Sequence, residues 1–197
     1  MRIIAGEYRG RILQAPKGLA TRPTTNRVRE AIMSSIESLA GDIEGLSVLD
    51  AFAGSGLFGF ELLSRGASYV EAYEIDRKAQ EAIRSNASIL KLSKEKYRLV
   101  AHTVFDARLQ SARCFDLVVL DPPYKMPAQE IYLLLSDLVA EQRLNEEALV
   151  VYEHAQNISF KNDSSLVEMF TACQIEFVRE KKYGDTCITY FFYKGCA

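Results

Sequence analysis

Two short runs in this 197-residue chain set chemistry-bearing side chains at spacings a folded sheet could use. The first is Asp50-Ala-Phe-Ala-Gly54-Ser-Gly56-Leu-Phe-Gly59, a Gly-x-Gly-x-x-Gly pattern between a strand-like run and a helix-like one. Glycines let a backbone turn tightly and come within contact distance of a ligand, and Gly59 would let the helix pack close to the sheet. Twenty residues after Gly54 stands Glu74, at the end of the next strand-like run. A carboxylate there can accept hydrogen bonds from both hydroxyls of a ribose. The spacing suits NAD as well as S-adenosylmethionine. Asp50 tips the balance, because an acid just before the loop repels a pyrophosphate but suits a cationic sulfonium with an ammonium-bearing tail. Asp106, at the close of the third strand-like run, could take an adenine amine or cap a helix. Phe52, Ala53, Ser55, Ile75 and Ala107 complete the expected donor-binding set.

The second run is Asp121-Pro122-Pro123-Tyr124, directly after the apolar stretch Asp116-Leu-Val-Val-Leu120. The exocyclic amine of a base is a poor nucleophile, since its lone pair is delocalised into the ring. An enzyme that methylates it must hold both N–H groups on acceptors that favour a pyramidal nitrogen. The Asp121 carboxylate and the Pro122 carbonyl can supply them, while two prolines stiffen the turn and leave little entropy to lose. Tyr124 can stack on a base drawn out of its helix. Asp121, Pro122, Pro123 and Tyr124 are the expected catalytic set.

The elements that must position these residues alternate strand and helix. Strands are expected over 46–50, 69–74, 97–105, 115–120 and 148–153, and helices over 57–64, 77–92 and 128–142. Such alternation builds a parallel sheet with helices on both faces. Two further β-like runs, 174–180 and 186–193, flank Lys181-Lys-Tyr-Gly-Asp185, whose Gly-Asp supplies hairpin turn chemistry. Near the start, residues 2–14 form two short β-prone runs around Gly6 and Gly10, and an amphipathic helix begins at about Thr25. The expected organisation is an N-terminal extension over 1–40 and a single α/β domain over 41–197.

Charge is unevenly spread along the chain. Residues 1–30 carry seven basic and two acidic side chains, six of the bases being arginine, so the remainder holds a net charge of −7 within a total of −2. Arginine's planar fork grips phosphate through paired hydrogen bonds, which suggests a polyanion-binding edge on an otherwise acidic body. A solvated arm pairing with the body's own acids is the plainer alternative. The four cysteines, at 114, 173, 187 and 196, lack the spacing of a zinc site, and His102 and His154 lie in no ligand or triad pattern. No metal is expected. No apolar run approaches the ~18 residues of a membrane span, and the charged start offers no secretory core, so a cytoplasmic address is expected; a monomer is the expected state.

Taken together, the glycine run and Asp121-Pro-Pro-Tyr resemble a class I S-adenosylmethionine-dependent methyltransferase acting on base amines. Arg2-Ile-Ile-Ala-Gly with Arg9-Gly-Arg11, then Arg22-Pro-Thr-Thr-Asn-Arg27-Val-Arg29-Glu30, narrow the resemblance to the RsmD family. Nearly the whole chain takes part. The resemblance implies a doubly wound, seven-stranded, mostly parallel Rossmann-like sheet with an antiparallel final strand and an N-terminal hairpin extension. It implies methylation of guanine N2 in 16S ribosomal RNA, within a partly assembled small subunit. Arg9, Arg11, Arg22, Thr24, Arg27 and Arg29 would then hold the RNA. A DNA adenine or small-molecule amine methyltransferase, a dehydrogenase, and a catalytically idle ribosome-assembly factor are the competing readings.

Overall fold

The computed structural model describes residues 1–16, 26–105 and 113–195. The chain divides into two compact units, Met1–Arg108 and Leu109–Ala197.

In the first unit, α1 (Asn26–Ala40) precedes an alternation of β1 (Ser47–Asp50), α2 (Leu57–Ser64), β2 (Tyr69–Tyr73), α3 (Arg77–Ile89) and β3 (Tyr97–Val100). The strands lie in the order β3-β2-β1 and all pair in parallel. Every residue of β2 is buried, as expected of a central parallel strand covered on both faces. The N-terminal residues pair as the expected small hairpin without extending into regular strands: an antiparallel bridge joins Arg2 to Ile12, and the Ile3, Gly10 and Leu13 N–H groups donate to the Arg11, Ile3 and Met1 carbonyls at 2.9 to 3.1 Å.

The reason lies in α2. The Glu61 carboxylate, 0% exposed, accepts the Ile4 and Ala5 N–H groups at 2.9 and 3.1 Å and the Arg65 Nε at 3.2 Å. One turn on, Ser64 Oγ accepts the Tyr8 N–H and donates to the Ala5 carbonyl. Asn86 of α3 exchanges two hydrogen bonds with the backbone of Gln14. A buried carboxylate is tolerated only when its lone pairs are satisfied, and here the N-terminal backbone helps to satisfy them. The segment is therefore part of the first unit's fabric.

The second unit contains β4 (Phe115–Leu120), α4 (Ala128–Ala140), β5 (Leu144–Ala155), α5 (Ser164–Thr171), β6 (Ile175–Tyr183) and β7 (Thr186–Tyr193). Its strands run in the order β4-β5-β7-β6, with β4 and β5 parallel. The final strand β7 is antiparallel to both β5 and β6. Its core gathers Phe160, Phe170 and Phe191, all buried, with ring centroids 4.9 to 5.1 Å apart. Seven strands and five helices in this alternation are the Rossmann-like α/β class expected from the sequence. Among the described residues, no helix is long and apolar enough to cross a membrane.

Candidate active site

In the first unit the glycine loop turns directly out of β1. Gly54 and Gly56 hold φ of +53° and +73°, where L side chains are strained. A Cβ on Gly56 would lie 2.8 Å from the Phe60 ring and 3.0 Å from Ile83, whereas one on Gly54 would meet nothing within 4 Å. Gly56 is thus required by packing, and Gly54 keeps space open above the loop. Gly59 lets α2 settle on the sheet, its missing Cβ 3.0 Å from Val70 and 3.2 Å from the Asp50 carboxylate.

Glu74 closes the loop from the end of β2. Its Oε2 accepts the Gly54 N–H at 2.7 Å and its Oε1 accepts the Asp76 N–H at 2.7 Å. Each oxygen retains a second lone pair that a ligand hydroxyl could use. Next to it Ile75 is 69% exposed, while the half-buried Phe52 and the exposed Phe105 set their rings 6.1 Å apart. Asp50 is buried beneath the loop, so its negative charge reaches a ligand as a field from below. Ala53 anchors the turn by donating to the Tyr73 carbonyl at 2.9 Å, and the Ser55 hydroxyl accepts from the Leu57 N–H. These residues fit a ligand bearing vicinal hydroxyls, a flat apolar ring and positive charge.

Two residues here escaped the sequence reading. Gln80, one turn into α3, donates from Nε2 to the Glu74 carbonyl at 2.8 Å. The Tyr97 ring stacks on Phe60 at 4.6 Å, with its hydroxyl buried under Gly56 and without a hydrogen-bond partner. Burial, and then the charges of Asp50 and Glu74, hold that phenol well above its ordinary pKa. No local pattern marks Tyr97; Gln80 stands out only as a polar residue on the buried stripe of α3.

In the second unit Asp121-Pro-Pro-Tyr leaves the end of β4. Pro122 is buried, Pro123 is exposed, and the Pro123 carbonyl accepts the Met126 N–H at 2.8 Å, which closes the turn. Tyr124 is 50% exposed, and its hydroxyl shares a 2.7 Å hydrogen bond with Thr186 of β7, which fixes the ring. Thr186 was not anticipated; only its place after the Gly184-Asp185 turn hinted at it. Protein atoms crowding Asp121 push its carboxyl up to about 6. The residue is nonetheless exposed at the end of β4, open to a ligand from solvent.

The basic residues divide. Arg9, Arg11 and Arg27 are exposed, but Arg29 is buried. Its guanidinium donates to the Arg2 carbonyl at 3.0 Å and the Asn26 side chain at 3.1 Å, with Nε 3.9 Å from Glu61. The expectation that Arg29 grips RNA is therefore corrected: it lies on the inner stripe of α1 and joins that helix to the N-terminal loop. Arg22, Thr24, Asp106 and Ala107 lie outside the described residues. Among the described residues, no group of three or more acidic, histidine or cysteine side chains could hold a metal.

A family model described as conserved hypothetical protein 95 matches residues 1–192. The chain belongs to this family, the RsmD family. It is 34% identical to the YlbH protein of Bacillus subtilis over 197 residues, which are 99% of this chain and 100% of that one. The ribosomal RNA small subunit methyltransferase D of Escherichia coli K12 is 34% identical over 154 residues, 78% of this chain and 74% of the relative. Among solved structures, the yhhF protein of Escherichia coli superposes with a TM-score of 0.79 at 28% identity, covering 100% of this chain and 99% of its own. An RsmD-family chain with this fold carries both the glycine loop and the Asp-Pro-Pro-Tyr turn.

Proposed function

We propose that this protein transfers a methyl group from S-adenosylmethionine to the exocyclic N2 amine of a guanine in 16S ribosomal RNA, within an assembling small subunit. Family membership and relatives named ribosomal RNA small subunit methyltransferase D support the ribosomal RNA substrate. The observation that carries the chemistry is the stiff turn after β4, where a crowded carboxylate adjoins two prolines and a fixed, half-exposed tyrosine.

S-adenosylmethionine, when bound, supplies an electrophilic methyl carbon on a cationic sulfonium. Glu74 accepts hydrogen bonds from the ribose hydroxyls, while Ile75 and Phe52 present apolar surface to the adenine. Asp106, and Ala107 beside it in the sequence, are assigned to the adenine by the same reading. Asp50 favours the donor's positive charge from beneath the glycine loop. Asp121 and the Pro122 carbonyl accept the two N–H groups of the guanine amine, aim its lone pair, and offset the positive charge that builds on nitrogen. Because the turn is already stiff, little reorganisation accompanies the transfer. Tyr124, restrained by Thr186, holds the unstacked base.

Arg9, Arg11, Arg22, Thr24 and Arg27 contact the RNA, the arginines through its phosphates. The enzyme works as a cytoplasmic monomer. Methyl transfer to small-subunit particles by the wild type and by Asp121→Ala tests this reading. A loss of 100-fold or more in rate is expected from removing a preorganised acceptor, on the order of 2.7–4 kcal/mol; equal rates would remove Asp121 from the mechanism.

A further inference from the structure

The second unit holds a groove of about 480 Å³ that Tyr124 helps to line. Its volume falls within the ~300–1,000 Å³ common for small-ligand sites. Met126 and Ile158 give it half-buried apolar surface, and the exposed amides of Gln129 and Asn157 give it paired donors and acceptors. Lys125, next to Tyr124 in the chain, contributes a cation to the lining. The lining's anion, Asp163, is engaged at the start of α5, where one carboxylate oxygen accepts the Ser165 and Leu166 N–H groups at 3.0 and 3.3 Å.

The part of the lining formed by residues 157–159 is firmly built. Glu180 of β6 accepts the Phe160 N–H at 2.8 Å and the Ser159 hydroxyl at 3.2 Å, which fixes the loop carrying Asn157 and Ile158. Thr189 stands 3.5 Å from Glu180 and 2.7 Å from Nε2 of the buried His154, extending the network into the sheet. Phe160 plugs the loop into the aromatic core against Phe170 and Phe191. A rigid wall with exposed amides at its edge has the composition of a base-recognition site. Single-stranded RNA is read in this way, by apolar or stacking surface plus hydrogen bonds to base edges.

We infer that this groove binds the nucleotide next to the target guanosine, its base against Met126 and Ile158 between the amides of Gln129 and Asn157, its phosphate at Lys125. The inference rests on the proposed function, in which Tyr124 carries the target base. Nucleotides are joined covalently, so the neighbour lies one backbone step from Tyr124, which itself lines the groove.

The test compares wild type with Asn157→Ala, Gln129→Ala and Lys125→Ala in steady-state methylation of unmethylated small-subunit particles. Loss of one base-edge contact should raise KM about tenfold with kcat within twofold. Lys125→Ala should also make log KM shallower by about one unit against log salt, the mark of one lost phosphate contact. S-adenosylhomocysteine binding by calorimetry should be unchanged in all three, and anisotropy should show the same weakening on protein-free small-subunit RNA. Unchanged KM in the three variants, with an active wild type, overturns the groove assignment alone. A KM effect on particles with no weakening on protein-free RNA overturns it in favour of a protein contact. A wild type that methylates no RNA overturns both this inference and the reading beneath it.

Discussion

The Glu74 carboxylate accepts the Gly54 N–H at 2.7 Å, so the acid at the end of β2 holds the glycine loop that follows β1. The second oxygen takes the Asp76 N–H, and Asp76 caps α3 by accepting from Ala79. One side chain therefore shapes the loop and aligns the next helix, and each of its oxygens keeps a lone pair for a ligand hydroxyl. Glu74→Gln replaces one acceptor with an NH₂ group that opposes a backbone donor. Calorimetric titration with S-adenosylhomocysteine should show affinity about 10–100-fold weaker, matching ~1.5–3 kcal/mol for a hydrogen bond to a charged group.

Gly6 sits at φ +81°, and a Cβ there would lie 1.6 Å from the Ser64 carbonyl oxygen. Backbone cannot yield as a side-chain tip can, so Gly6→Ala must lift the N-terminal loop off α2. The expected cost is about 2–3 kcal/mol in urea unfolding. Gly10, at φ +82° with nothing within 4 Å, is the control: Gly10→Ala should cost only the local strain, about 1 kcal/mol.

Arg29 and Arg27 are two residues apart on α1 but face opposite environments. Arg29→Ala should lower stability by roughly 2–3 kcal/mol, because it strips charged donors from the Arg2 carbonyl and the Asn26 side chain. Arg27→Ala should leave unfolding within about 0.5 kcal/mol of wild type, as expected for an exposed position, and weaken RNA binding instead. Filter binding beside urea melts separates the two roles.

Asp121 gives a pH prediction with a definite sign. Its folded carboxyl is raised to about 6 from 3.8, so across that window the folded state holds a proton the unfolded chain has released. The wild type therefore loses stability as pH rises through this interval, while Asp121→Asn does not. The variant should melt at a higher temperature than wild type above pH 6, with the gap closing toward pH 4. Methyl transfer by the wild type should rise with pH through about 6, as the carboxylate that accepts the amine forms.

The elements around the chemistry were legible because their signals are local. The helix closed by Gly66 and the strand ending at Asp121 have the bounds their patterns predict, Leu57–Ser64 and Phe115–Leu120. The helix α5 was missed because in its eight residues only Phe170 is buried, so no periodic stripe exists; Asp163 as its cap was the available sign. β3 stops at Val100, short of the expected Phe105, and Phe105 instead approaches Phe52. The N-terminal runs pair with each other as their strand propensity suggests, but the residues between them are held by Glu61 and Ser64, which lie more than fifty residues later. Long-range partners of this kind also explain Arg29, since composition shows a charge but not the carboxylate that receives it. At the candidate site the glycines, Glu74 and the Asp-Pro-Pro-Tyr turn could be read directly. Thr186 and Tyr97 could not, because their roles exist only once distant strands meet.

Nucleoside mass spectrometry of unmethylated small-subunit RNA, after incubation with the enzyme and isotope-labelled S-adenosylmethionine, tests the central claim most directly. The predicted result is a single labelled N2-methylguanosine per small subunit with wild type and none with Asp121→Ala. Label on adenine, on a ribose or on another guanine atom, or equal labelling by the variant, would contradict it.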